Sequence, residues 1–328
     1  MSGIVRQVSQ AVRPVTWQVW LAVRPISRQQ WFLWWCGTLL TVSGMAHGVV
    51  AAIDGGAWWG PVSWRKPTVF GLSFGILLWS VVWVMRHLPD RRWGWLPAGL
   101  LGATSVVEVA LITMQRWRGV PSHFNPATRF DAAVWSVMGT SIIATALAVA
   151  VLLVWSLAQF RGAPTARVAV LAGLLAVLAA GAIGRDMAAA GEAAVTATGH
   201  VPFGIVFGAA GTPKLAHALG IHGLQVLGLL AIGLEVGRLP ARSRLRLMLL
   251  AAAGYASVFA AVTVTAYAGR AWTSPTLPMA VLTVAGALGL LFVAVVAVKN
   301  LWSGSSSVGS DGDDDRDSAG RPRVAVMG

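Results

Sequence analysis

Four histidines, two lysines and one isolated glutamate carry most of the chemistry this sequence offers. His47, His123, His217 and His222 bring imidazoles of the kind that ligate a metal ion or haem. Glu108 and Asp131 are the candidate catalytic acids, and Glu108 can serve as a carboxylate ligand or a proton acceptor. Met45 lies two residues before His47, and Met114 and Met138 fall on the same side of the membrane, an arrangement that would suit a copper site. Lys66, Arg118 and Lys214, with Asn125 and Gln225, have the donors to hold a carboxylate or phosphate as a substrate-binding set. No spacing here is a strong signature: His217 and His222 are five apart, so they cannot chelate from adjacent turns as an i,i+4 pair does. The plain alternative for each histidine is a hydrogen bond to a neighbouring helix. For the loop arginines it is pairing with lipid phosphates.

The chain around these residues is built for lipid. Of its 328 residues, 56% are hydrophobic and 11% charged, against roughly 25% charged in soluble domains. One cysteine, Cys36, excludes an intramolecular disulfide and a thiolate metal cluster. The Gly-rich stretch 208–211 follows no strand and makes no phosphate loop, which argues against ATP-driven work by this chain alone. The net charge of +13 reflects membrane topology, because nucleic-acid binding would need a soluble basic face.

Apolar runs long enough to cross about 30 Å of hydrocarbon predict eight spans. They fall at 31–53, 67–86, 96–114, 132–157, 168–183, 215–235, 247–267 and 277–298. The runs are continuous and rich in Ala, Leu and Gly, without the alternation of barrel strands. The fifth is the weakest, because Arg185 and Asp186 interrupt it before it continues toward Ala190. The expected fold is therefore an all-α, polytopic membrane bundle. Seventeen of the twenty-five Lys and Arg residues fall on the side of the amino terminus, so the positive-inside bias puts both termini in the cytoplasm of a bacterial plasma membrane. Residues 1–30 read as a basic amphipathic segment on the inner leaflet, 31–299 as the membrane domain, and 300–328 as a disordered acidic tail.

With that orientation the polar residues sort by side. His47, Glu108, Asp131, His217 and His222 fall in the outer halves of their spans, and Lys66 and Lys214 at outer mouths. At 100° per residue, Lys214, His217, His222 and Gln225 share an arc of about 140°, with Ala216, Gly220 and Gly223 opposite as a packing surface. The expectation is an outward-facing cavity lined by spans 1, 3 and 6. The 3–4 and 5–6 loops would lid it, the latter spanning roughly 187–213.

The stretch from Gln115 to Asn125 (QRWRGVPSHFN), Phe130-Asp131, Met138-Gly139, Arg65-Lys66-Pro67, and Lys214 to Gln225 (KLAHALGIHGLQ) resemble a family of bacterial multi-pass membrane proteins. The likeness covers roughly the first six helices. It implies a helical membrane fold and brings no activity, cofactor or catalytic role. Three readings stay open. The first is a metal- or haem-dependent oxidoreductase acting on a lipophilic substrate at the outer face. The second is a proton-coupled transporter or exporter of a small anionic molecule. The third is a non-catalytic assembly protein whose polar outer face docks a protein partner. The lipid bilayer is a partner in all three, and nucleic acid in none.

Overall fold

The computed structural model describes residues 17, 19–56, 58–201 and 210–305. Eight helices dominate these residues: α1 Arg28–Asp54, α2 Arg65–Arg86, α3 Trp95–Trp117, α4 Arg129–Gln159, α5 Pro164–Thr198, α6 Lys214–Val236, α7 Ala241–Tyr267 and α8 Leu277–Ser305. A 3₁₀ turn, Arg92–Gly94, leads into α3, and no strand is present among the described residues. All eight helices are long and apolar enough to cross a membrane. Leu277, Val281, Val284, Leu288, Leu291 and Phe292 line an exposed face of α8, a pattern at ease against lipid and costly against water.

Helix pairs pack through small residues, as expected where lipid offers no hydrophobic drive between helices. A Cβ added at Gly71 of α2 would stand 2.8 Å from the Gly44 Cα and 2.8 Å from the Leu40 carbonyl of α1. The backbones themselves are in contact there. The small face of α6 behaves as its 3.6-residue period predicts: Ala216, Gly220 and Gly223 are buried. A Cβ on Gly220 would meet Ala180 and Ala176 of α5 within 2.8 Å. Between α3 and α4 the tie is polar, a 2.7 Å bond joining the Thr104 and Thr145 hydroxyls.

Two boundaries differ from expectation. The fifth span does not stop near 190; α5 runs unbroken to Thr198. Arg185 is exposed and bonded to Asp186, and Asp186 accepts from Tyr267 at 2.7 Å. Charges within a helix interrupt hydropathy without interrupting the helix. The first part of the predicted 187–213 loop is therefore helical, and 202–209 lie outside the described residues. At the other terminus α8 continues past 299 to Ser305, because Asn300 is buried and donates to the Gly233 and Leu234 carbonyls at 3.1 Å each. The tail beyond 305 and most of the amino-terminal segment lie outside the described residues. Near that segment Trp20 packs edge-on against Trp34 at 5.4 Å.

The turns after α1, α3, α5 and α7 meet at one end of the bundle, here termed the site end. Bonds from Trp64 to Asp54, Lys66 to Ser122, Trp135 to Glu192 and Gly211 to Arg270 tie it together. The opposite end is held by bonds such as Gln29 to the Arg91 carbonyl and Arg161 to the His87 carbonyl. Glu235, which in sequence looks like a surface partner of Arg238, instead accepts from the Ala166 N–H in the first turn of α5 at 3.1 Å.

Replacing Gly71 by Ala should destabilise the α1–α2 pair by about 1–3 kcal/mol, since its neighbours are backbone and cannot yield. Gly139, with nothing within 4 Å, is the control. Melting of purified protein in detergent should show a lowered Tm for Gly71→Ala and an unchanged one for Gly139→Ala.

Candidate functional site

The site end divides into three groups of side chains. In the first, the end of α1, the start of α2 and the end of α3 are knotted by aromatic rings. Asp54 accepts from Trp64 Nε1 at 2.8 Å and from Arg116 at 3.4 Å. Arg116 lies 3.9 Å over the Trp64 ring, a cation–π contact sheltered at a helix end. His47 belongs to this knot. Its Nδ1 stands 2.7 Å from the Ser43 carbonyl, and its Nε2 accepts from Trp117 Nε1 at 3.2 Å. That assigns the Nδ1–H tautomer and occupies both ring nitrogens.

The second group is a clasp on the 117–129 connection. Asp131, 2% exposed, accepts from Arg118 at 2.6 Å, Gln115 at 2.9 Å and Thr128 at 2.7 Å. Thr128 caps α4 by accepting from the Asp131 N–H at 3.0 Å, so the pair forms a reciprocal cap. Arg118 also bonds Gln115 and covers the Phe130 ring. With its oxygens engaged by these donors, Asp131 serves as a structural tie. Asn125, 4% exposed, spends its amide on the same loop, donating to the Pro121 carbonyl and accepting from the Ala127 N–H, both at 3.2 Å. Phe124 takes a left-handed φ of 58°, which puts its ring against Trp135 and the Gly191 backbone of α5.

The third group is cationic. Lys66, from the first turn of α2, reaches Ser122 Oγ at 3.5 Å, and Ser122 Oγ is 2.8 Å from His123 Nδ1. The hydrogen-bond order that satisfies this chain runs from ammonium to hydroxyl to Nδ1, leaving His123 with its proton on Nε2. Arg65 and Lys214 both act electrostatically on Lys66. His123 is boxed by Phe70, Phe124 and Trp135. Burial, with the neighbouring Lys66 and Lys214 ammonium groups, pulls its imidazole down to about 3. Arg65 lies 5.0 Å over Trp59, and its buried Nε has no partner. The ion pairs among the described residues join Arg116 to Asp54, Arg118 to Asp131 and Arg185 to Asp186; none involves Arg65 or Lys66.

Among the described residues no hydrogen bond or ion pair joins His217, His222, Gln225 or Glu108 to that group. His217 donates from Nδ1 to the Ala180 carbonyl of α5 at 2.8 Å and packs on Gly184. His222 is partly buried on the same helix. The Gln225 amide turns back on its own helix, donating to the Ile221 carbonyl at 2.9 Å and the His222 carbonyl at 3.2 Å. Glu108 is 2% exposed on α3, and its Oε2 is buried without a partner. Among the described residues no three His, Cys, Asp or Glu side chains gather to hold one metal ion. Hollows of about 250 and 330 Å³ lie elsewhere, near Gln29, Arg86 and Trp155 at the opposite end and beside Thr104 and Thr140.

Sequence reasoning passed over Trp64, Trp117 and Ser122 as site residues. A signal existed in each case: Trp64 directly precedes Arg65-Lys66, Trp117 sits between two arginines, and Ser122 adjoins His123.

Fold and site together define a multi-span helical protein of membrane type with a cation-rich cluster at one end. No protein-family profile, curated protein or solved structure matches the chain.

Removing the clasp with Asp131→Ala should cost about 1–3 kcal/mol by stranding buried donors. Trypsin cleavage after Arg118 or Arg129 should accelerate in the variant. The pH response of His123 has a fixed sign. Its folded value lies below the ordinary 6.5, so an opened loop binds a proton that the closed loop refuses. Its contribution to stability is complete above about 6.5 and is lost as pH falls toward about 3. Tm measured across that window should fall with acid, and less steeply in His123→Gln.

Proposed function

We propose that this protein binds a small anionic solute at the Lys66–Ser122–His123 cluster and carries it across the membrane. The observation that supports the reading best is a partly buried ammonium, Lys66, set beside Arg65 and Lys214 with no carboxylate paired to it among the described residues. Like charges gathered in a poorly solvated place repel one another and gain from an anion that completes them. The acids that could have neutralised this group are committed elsewhere: Asp54 to Trp64 and Arg116, and Asp131 to Arg118, Gln115 and Thr128.

With the termini in the cytoplasm, as the Lys and Arg bias indicates, the cluster faces outward. Glu108, two turns deeper on α3 than Gln115, is the group we assign to proton coupling. Its partnerless oxygen is a poor structural device and a serviceable proton site. The redox reading draws less support, because the histidines are engaged with separate neighbours: His47 with Trp117, His123 with Ser122, His217 with Ala180.

The full chain in nanodiscs, titrated with acetate and methyl phosphate, should bind at least one of them. Lys66→Met should weaken that binding by ten-fold or more. In proteoliposomes Glu108→Gln should leave binding intact and abolish uptake driven by a pH gradient. Loss of neither activity, or a stoichiometric metal or Soret band removed by His217→Ala, would overturn the proposal.

A further inference from the structure

Two buried hydroxyls in the turns that lead into the lysine-bearing helices have no partner among the described residues. Thr212 is 5% exposed and Ser63 1% exposed, and neither side-chain oxygen makes a hydrogen bond. A buried hydroxyl left unsatisfied costs about 1–3 kcal/mol, so each of them points to a missing acceptor. Each lies just before a helix whose first turn carries one of the lysines. Ser63 precedes α2, where its carbonyl accepts from the Lys66 N–H at 3.3 Å. Thr212 precedes Pro213, the N-cap of α6, which has no side-chain capping bond. The approach to α6 is fixed by Gly211, whose N–H donates to the Arg270 carbonyl at 3.2 Å.

The start of α6 adds donors of its own. The N–H groups of a helix's first turn have no acceptor within the helix and carry the positive end of its dipole. In a 23-residue helix this is a favourable place for an anion, and the buried Thr212 hydroxyl is independent evidence that one is expected.

Charge and donor number then choose the kind of anion. Arg65, Lys66 and Lys214 bring three formal positive charges within electrostatic reach of one another. His123, kept neutral by burial and by the two lysines, adds no further charge. A carboxylate brings one negative charge and two oxygens. A phosphate monoester brings about −1.5 to −2 near pH 7 and three terminal oxygens, which suits the charge and occupies more of the donors.

We propose that the group bound here is a phosphate monoester, held by Lys66 and Lys214, the Thr212 and Ser63 hydroxyls and the first turn of α6. This rests on the anion-binding reading above and narrows its substrate class. The same chemistry is presented by a free phosphorylated solute and by the headgroup of phosphatidic acid.

Methyl phosphate and acetate, matched in their single methyl group, make the test. The full chain in phosphatidylcholine nanodiscs at pH 7.5 should bind methyl phosphate at least ten-fold more tightly than acetate by calorimetry. Thr212→Val, close in shape to the original, should weaken methyl phosphate about ten-fold, leave acetate unchanged and leave the Tm of the unliganded protein no lower, since it removes an unsatisfied hydroxyl. Repeating the titration with phosphatidic acid in the disc identifies the source. Competition supports a lipid headgroup, and undiminished methyl phosphate binding supports a free solute. If acetate binds as well as methyl phosphate, or Thr212→Val leaves their ratio unchanged, the phosphate assignment fails while the anion reading stands. If neither ligand binds, both fail.

Discussion

The cost of an unpaired charge away from water governs this molecule. Hydrocarbon offers no solvent to a carboxylate or ammonium and no partner to a backbone amide. The chain responds with eight helices that satisfy their own amides and keep most ionic groups toward their ends, Glu108 and the Arg185–Asp186 pair excepted. What distinguishes the site end is how unevenly the charges there are neutralised. Asp54 and Asp131 are each held by several donors, in the Asp54–Trp64–Arg116 knot and the Asp131–Arg118–Gln115–Thr128 clasp. The same ties that fix the loops also remove the counter-ions that Arg65 and Lys66 would otherwise take.

This links stability to function along a physical route. Thr128 and Asp131 start α4 and close the 117–129 connection, which carries Ser122 to Lys66 and His123 into its ring of Phe70, Phe124 and Trp135. The left-handed Phe124 is a local strain that the surrounding packing upholds. Around Lys66 no carboxylate completes the charge among the described residues. A binding site that pays its repulsion in the empty state recovers it when an anion arrives.

Much of the fold was legible in the sequence, because span length and helical period are local properties. The eight apolar runs correspond to eight helices, and the small face of α6, Ala216, Gly220 and Gly223, is buried as its 100° spacing required. The fifth span was read short because hydropathy registers Arg185 and Asp186 while helix geometry does not. The site was less legible, since its contacts join residues far apart in the chain: Lys66 with Ser122, and Asp54 with Arg116. Asp131 was the readable exception. Thr128 followed three residues later by an acid is a capping pattern, and the structure shows that reciprocal cap. Histidine count likewise overstated metal chemistry, because the count says nothing about neighbours, and interhelical carbonyls and indole N–H groups had first claim on the rings.

The central claim is that the cations at the site end share one anion. Anomalous diffraction from crystals of the full chain soaked in bromide measures this directly. The account predicts a peak between the Lys66 and Lys214 side chains, close to Ser122. A map with no peak there, or with an anomalous metal signal enclosed by His47, His217 or His222 instead, would contradict it.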